Sequence, residues 1–289
     1  ERLYGSELQA FFTRHGVNVR LQAPVRRLLL DPLQPRVAAV ELRDASRLHA
    51  DHYVLAVPFD RLPDLLPPSL FEQFPGLARI RQLEAAPITS LHLWFDRPVL
   101  PWPHAVVVGG VSQWLFRRPF PTSAEPNGRE NFSPQADGSS ATALPSPRQP
   151  AVPPAVPAES HYLQVVISAS ADYLAGGHTE LQQRVVQELR QLLPAARTAR
   201  LLHARVITEH KATFRPVPGV DRWRPPQASP LTNLALAGDW TATGWPATME
   251  SAVRSGYLAA QVILQRAGEP SGPPRDSSFD SPRQPAQIN

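Results

Sequence analysis

The sequence predicts an α/β fold with a second domain of sheet plus helices inserted into it. Three observations predict it. Leu234 to Ala237 is a short apolar run, as in a buried strand, and a helical pattern follows it from Thr248. A helix (Glu1–His15) and a series of strands precede residue 59. The stretch 59–204 has a different character: short helical patterns broken by prolines, then alternating strands rich in aromatic residues.

Composition narrows the function. The chain has 289 residues and no uninterrupted apolar window long enough to cross a bilayer as a helix. Its net charge of +4 is spread thinly, and Lys211 is the only lysine. No arginine-rich run with interleaved aromatics stands out, which argues against nucleic acid as a partner. Absence of cysteine excludes disulfides, thiolate catalysis and cysteine-ligated metal. The histidines lack metal-ligand spacing.

In chain order, Leu3, Leu8, Phe11 and Phe12 make the first helix amphipathic, and Gly16 stops it. Alternating Val17, Val19 and Leu21 predict a strand; Pro24–Leu30, Val37–Leu42, Leu48–Asp51 and Asp51–Pro58 predict four more. Pro63, Pro67, Pro68 and Pro75 cut 60–83 into short helices. Strands are expected at 88–95, 105–108, 113–116, 161–168 and 201–208, and a helix at 180–193 with Leu181, Val185, Val186, Leu189 and Leu192 inward. Trp94, Phe95, Trp102, Trp114, Phe116 and Phe120 either line a pocket for a long apolar substrate or pack a core. The Pro/Ser-rich stretch 121–159 and the tail 267–289 are expected to be disordered, the former as an insertion or an interaction tract.

The stretch 234–260 carries the chemistry. Gly238 and Asp239 end the strand, and Gly244 and Pro246 lead into the helix, whose inward face is expected to be Ala252, Val253, Gly256, Ala260, Ile263 and Leu264. A helix start offers unpaired N–H groups and a positive dipole end. An acidic residue at a strand's carboxyl end accepts ligand hydroxyls, where open α/β sheets bind ligands.

These residues closely resemble the carboxyl-terminal flavin motif of the amine oxidase and phytoene desaturase superfamily. Ala237-Gly-Asp-Trp-Thr241 followed by Thr243-Gly-Trp-Pro-Ala-Thr-Met-Glu250 looks most like its hydroxysqualene dehydroxylase branch. The resemblance implies an FAD-binding domain of the Rossmann-like, glutathione-reductase type, formed by 1–58 and 205–266, with 59–204 as the substrate domain. It implies FAD as cofactor, held by Gly238, Asp239, Trp245, Ala247, Thr248 and Met249. Val25 either pairs its backbone with the adenine or is a plain strand valine. Ala56 and Pro58 lie at the strand passing the adenosine diphosphate. Lys211, before Ala-Thr-Phe, either lies near the flavin or donates a proton to a leaving hydroxyl, or is a surface lysine.

No G-x-G-x-x-G follows a strand, and Gly109-Gly110 and Gly176-Gly177 do not complete one. Relatives carry that fingerprint at their amino terminus, so the chain is expected to be the carboxyl-terminal part of a longer enzyme, lacking an amino-terminal segment and binding FAD poorly alone. The implied reaction is reductive dehydroxylation of hydroxysqualene to squalene, in squalene and hopanoid synthesis, with hydride from reduced flavin. Alternatives are a carotenoid desaturase, an amine oxidase, or a non-catalytic remnant acting as a binding module. The implied substrate is an apolar isoprenoid, and the implied location is the cytoplasm, with peripheral contact at the inner membrane as a hypothesis.

Overall fold

The computed structural model describes residues 5–117 and 160–270. The expectations for 121–159, for Phe120 and Leu3, and for the tail beyond 270 lie outside them. The chain divides into two compact units, 1–24 with 89–208 and 25–88 with 209–289. Two of their three limits, 88/89 and 208/209, fall inside long strands, whereas the sequence placed its domain boundaries at 58 and 204.

In the second unit, β1 (Val25–Leu30), β2 (Val37–Leu42) and β3 (Arg47–Leu48) form an antiparallel meander in that order, with Leu28 opposite Val40. Asp31 turns the chain between β1 and β2 by accepting the N–H groups of Leu33 and Gln34. β4 (Tyr53–Leu55) pairs in parallel with β10 (Leu234–Leu236), Tyr53 beside Leu234. All three β10 residues are buried, as a parallel strand covered on both faces requires. The Asn233 side chain ties the two sheets together. Its amide oxygen accepts the Val37 N–H at 2.8 Å, and its nitrogen donates to the carbonyls of Val37 and Asp51.

The proline-cut helices α2 (Leu62–Leu65), α3 (Pro68–Gln73) and α4 (Pro75–Ala78) each carry proline in their first turn. Leu62, Leu70, Phe71 and Leu77 pack into one core with Leu28, Leu234, Leu236 and Trp240. Residues 62–83 therefore pack with β1, β10 and Trp240 of the flavin-like motif, which is why the compact unit runs past residue 58.

The helix α7 (Met249–Ala267) starts where expected, but its inward face does not match the expectation. Ser251, Ser255 and Ala259 are the buried residues. Val253 is 53% exposed and Tyr257 61%. The reason is hydrogen bonding as well as size. Ser255 Oγ accepts the Gly238 N–H at 2.7 Å, and Ser251 Oγ donates to the Asp239 carbonyl at 3.2 Å. Ala259 packs with Ala235 and Ala237, where small side chains allow close approach. Arg266 fastens the far end by donating to the carbonyls of Ser229, Leu231 and Leu234. Gly268, at φ 77°, ends the helix.

In the first unit, α1 (Ser6–Arg14) buries no residue. The expected strand at 17–21 is absent: Val17 and Val19 are exposed, and the Val17 N–H bonds back to Phe12 at 2.9 Å. Alternation alone does not make a strand where no neighbouring strand pairs with it. The sheet comprises β5 (Ala85–Phe95), β6 (His104–Val106), β7 (Trp114–Arg117), β8 (His161–Ser168) and β9 (Leu201–Phe214), in the order β6-β7-β8-β5-β9. One face carries Leu91, Leu93, Phe95, Leu163, Val165 and Ile167. The helix α5 (Gly177–Leu192) packs on it through Leu181, Val185, Val186 and Leu189, and the short α6 (Pro194–Thr198) follows. Leu192, expected inward, is half exposed. β9 runs six residues past the expected end and takes Lys211 into the strand.

Candidate flavin site

The site forms at the carboxyl end of the β4/β10 pair. Ala237 N–H donates to Leu55 at 3.1 Å, and Trp240 Nε1 donates to the Val57 carbonyl at 2.8 Å. These two bonds bring the segment Ala56–Pro58 beside Gly238 and Asp239. Ala56 and Pro58 are exposed there, while Leu55 and Val57 pack against the core. Gly238 sits at φ 145°, and a Cβ would fall 2.2 Å from Trp240 Nε1, so the turn admits only glycine.

Asp239 is half buried. Burial pushes its carboxyl above the usual range; the Arg224 charge and the backbone N–H groups of Asp239 and Trp240 pull it back only in part. Beyond Asp239, Thr241 Oγ1 donates to Gly238 O, and Gln227 Nε2 donates to Thr241 Oγ1 at 2.9 Å. Thr248 caps α7 by accepting the Ser251 N–H at 3.3 Å. Around that helix start, Trp245, Thr248 and Met249 are exposed and Ala247 is partly buried. The Arg254 guanidinium lies over the Trp245 ring at 4.6 Å.

Sequence reasoning missed Arg224. Its side chain is 3% exposed, and its guanidinium is the hub of the loop. One terminal nitrogen donates to Asp221 and to the Trp245 carbonyl, both at 2.8 Å. The other donates to the Asp239 carbonyl at 2.9 Å and to Thr243 Oγ1 at 3.1 Å. One side chain thus holds both ends of the 239–245 loop, with the Phe214 ring 5.4 Å from its centre. The one sequence signal was an arginine directly before Pro225-Pro226.

Two further sequence candidates lie on strands, Val25 on β1 and Lys211 on β9. Val25 is the first residue of β1, opposite Leu42. Lys211 is 58% exposed and pairs at 2.7 Å with Asp60, whose side chain is 17% exposed. The aromatic set divides as well. Phe95 is core, Trp102 and Trp114 are exposed, and buried Trp94 lies between Tyr162 and His203 with ring centres 5.2 and 5.1 Å away.

A family model described as flavin containing amine oxidoreductase matches residues 5–264. Among curated proteins, the 15-cis-phytoene desaturase of Synechococcus elongatus is 28% identical over 262 residues, covering 88% of this chain and 49% of the desaturase. The zeta-carotene desaturase of Synechocystis is also 28% identical, over 259 residues, with the same coverage. The chain thus spans about half the length of the curated relatives it matches. These relatives fit the carotenoid desaturase alternative better than the dehydroxylase expectation. Among solved structures, the cyclohexylamine oxidase of Brevibacterium oxydans superposes with a TM-score of 0.55 at 14% identity, over 90% of this chain and 53% of that one, a likeness of fold.

The family's cofactor is FAD, and the residues here fit it. The half-buried Asp239 carboxylate, with the backbone N–H groups of Asp239 and Trp240 beside it, suits ligand hydroxyls. The exposed start of α7 suits an electron-rich ring edge. With its fold, its strand–turn–helix site and a family match across nearly its whole length, the chain belongs to the flavin containing amine oxidoreductase family.

Proposed function

We propose that this chain is part of an FAD-dependent oxidoreductase acting on a long isoprenoid hydrocarbon, with desaturation of a phytoene-like polyene as the favoured reaction. The observation that carries this is the alignment of 88% of the chain with a phytoene desaturase. Unit 25–88 with 209–289 would hold the flavin, and unit 1–24 with 89–208 the substrate. Bound FAD supplies hydride acceptance.

The chain's own part is positioning. Asp239 accepts cofactor hydroxyls, and Arg224 holds the loop that presents them. The N–H groups at the start of α7, with Ala247, Thr248 and Met249, would hold the flavin ring, and the helix dipole there would favour negative charge on it. On the sheet face opposite the aliphatic core, His92, Trp94, Tyr162 and His203 form a continuous run of rings suited to an unsaturated chain. His92 Nδ1 and the Tyr162 hydroxyl are hydrogen-bonded, and burial, aided by Arg205, holds the imidazole below its usual pKa and therefore neutral at pH 7.

The motif at 237–250 favours a second reading, reductive dehydroxylation of hydroxysqualene. Peripheral contact with a membrane would suit either substrate; no described helix is long and apolar enough to cross one. The deciding experiment presents the complete protein with phytoene or an amine when its FAD is oxidised and an electron acceptor is supplied, and with hydroxysqualene when its FAD has been reduced chemically. Conversion of phytoene supports desaturation. Conversion of hydroxysqualene alone moves the assignment to the dehydroxylase, and turnover of the amine alone overturns the isoprenoid reading.

A further inference from the structure

The face of the five-stranded sheet away from the aliphatic core mixes rings with hydrogen-bonding groups. Leu91, Leu93, Leu115 and Leu163 turn to the core, so their neighbours along β5, β7 and β8 turn the other way. On β7 these are Trp114 and Phe116, stacked at 5.9 Å and set opposite Val166 and Gln164 of β8. Tyr162, His92, Trp94 and His203 continue the rings across β8, β5 and β9. Polar pairs sit among them. Gln164 Nε2 donates to Ser90 Oγ at 3.4 Å, and His92 Nδ1 lies 2.5 Å from the Tyr162 hydroxyl.

Among the described residues, His92 hydrogen-bonds through Nδ1 alone. The ring is partly buried, and burial with the Arg205 charge keeps it neutral. A neutral imidazole carries one N–H and one lone pair. If Tyr162 donates to Nδ1, Nε2 holds the proton and donates. If Nδ1 donates to the Tyr162 oxygen, Nε2 accepts. A pure hydrocarbon laid over these rings strips water from Nε2 and returns no partner, which costs binding. A carbonyl serves only one of the two tautomers. A hydroxyl, donor and acceptor at once, serves both.

We propose that His92 Nε2, positioned by Tyr162, anchors the hydroxyl group of an unsaturated isoprenoid alcohol lying on this ring face. The proposal rests on the isoprenoid reading above and deepens it by placing one hydroxyl on an otherwise apolar chain. The rings of Trp94, Tyr162 and His203 receive the unsaturated carbons beside that hydroxyl.

The test measures binding without flavin or turnover. The 289-residue chain is titrated with geranylgeraniol, with the hydrocarbon of the same chain and with geranylgeranyl diphosphate, each from the same detergent micelles. The Nε2 resonance of His92 is followed in protein carrying isotope-labelled histidine and is identified by its loss in His92→Gln. The alcohol should bind about tenfold more tightly than the hydrocarbon and shift the Nε2 resonance, which the hydrocarbon should leave in place. His92→Phe keeps a ring and should bind both at the affinity of the hydrocarbon. His92→Gln places an amide near the position of Nε2 and should recover most of the preference. Tyr162→Phe should reduce the preference by about threefold, because Nδ1 loses its partner. Equal binding of alcohol and hydrocarbon by the unaltered chain, or a preference that survives His92→Phe, overturns the proposal and leaves the isoprenoid reading standing. Tighter binding of the diphosphate overturns it too, assigning the face to an anion held by Arg205. Binding of none of the three overturns the proposal together with the isoprenoid reading of this face.

Discussion

The helices α5 and α7 look alike in the sequence and behave differently in the structure. Both are long and amphipathic, and both pack on a strand. α5 buries the aliphatic stripe that its periodicity marks, Leu181, Val185, Val186 and Leu189. α7 buries two serines and an alanine and leaves Val253 and Tyr257 in the open. The first is held by packing against a five-stranded sheet. The second is held by hydrogen bonds to a glycine turn, which makes it part of the candidate site as well as the fold. Where a helix serves a backbone turn, its polar small residues carry the contact and hydrophobic periodicity points to the wrong face.

That contrast can be broken most severely in α5. Leu189→Ala should destabilise the chain by about 3 kcal/mol, since it leaves a cavity in a closed core, while Val253→Ala in α7 should change stability by less than about 0.5 kcal/mol. Urea unfolding of the two variants compares them directly, and equal losses would erase the distinction. Next in size is Arg224→Met. It leaves the Asp239 and Trp245 carbonyls short of a buried donor, at a cost of about 2 kcal/mol. Hydrogen exchange should show the 239–245 loop and the first turn of α7 opening together; an unchanged exchange pattern would remove Arg224 from its central place. Thr248→Ala should cost about 1 kcal/mol through loss of the helix cap. Thermal melts would detect it, and Thr248→Ser should restore most of it.

The smallest effect sharpens the site electrostatically. Burial raises the Asp239 carboxyl above its unfolded value, so the folded chain binds the proton more tightly. Asp239 therefore lowers stability as pH rises from its ordinary carboxylate value through its raised folded value. Asp239→Asn should raise the melting temperature at pH 7 and leave it unchanged in acid below that window. The same substitution should weaken FAD binding in the complete protein, because a charged acceptor is lost. A melting temperature independent of this substitution at every pH would mean that the carboxylate is solvated.

Much of this molecule was legible in its residues. Proline spacing marked the short helices at 62–78, and alternation marked β5 and β8. The run Leu234–Ala237, with Gly238, Asp239 and the helical pattern from Thr248, marked the candidate site. Arg224 was not legible, because its acceptors lie at 221, 239, 243 and 245 and meet only when the loop closes on it. Asn233 was missed for the same reason: its partners are 196 and 182 residues distant in the chain. The strand expected at 17–21 failed in the opposite sense, as a correct local pattern without a neighbour.

By itself, then, the sequence determined the local features: where helices start and stop, which runs are apolar enough to be buried strands, and the strand–turn–helix motif that resembles a flavin site. Tertiary structure decided which face of α7 turns inward, which residues share a core with β10, and which buried cation holds the loop at Asp239. The physical reason is range. Capping, proline breaks and periodicity act within a few residues, and short segments record them. The pairing of buried donors with acceptors depends on groups brought together from distant positions, and only the folded chain supplies them.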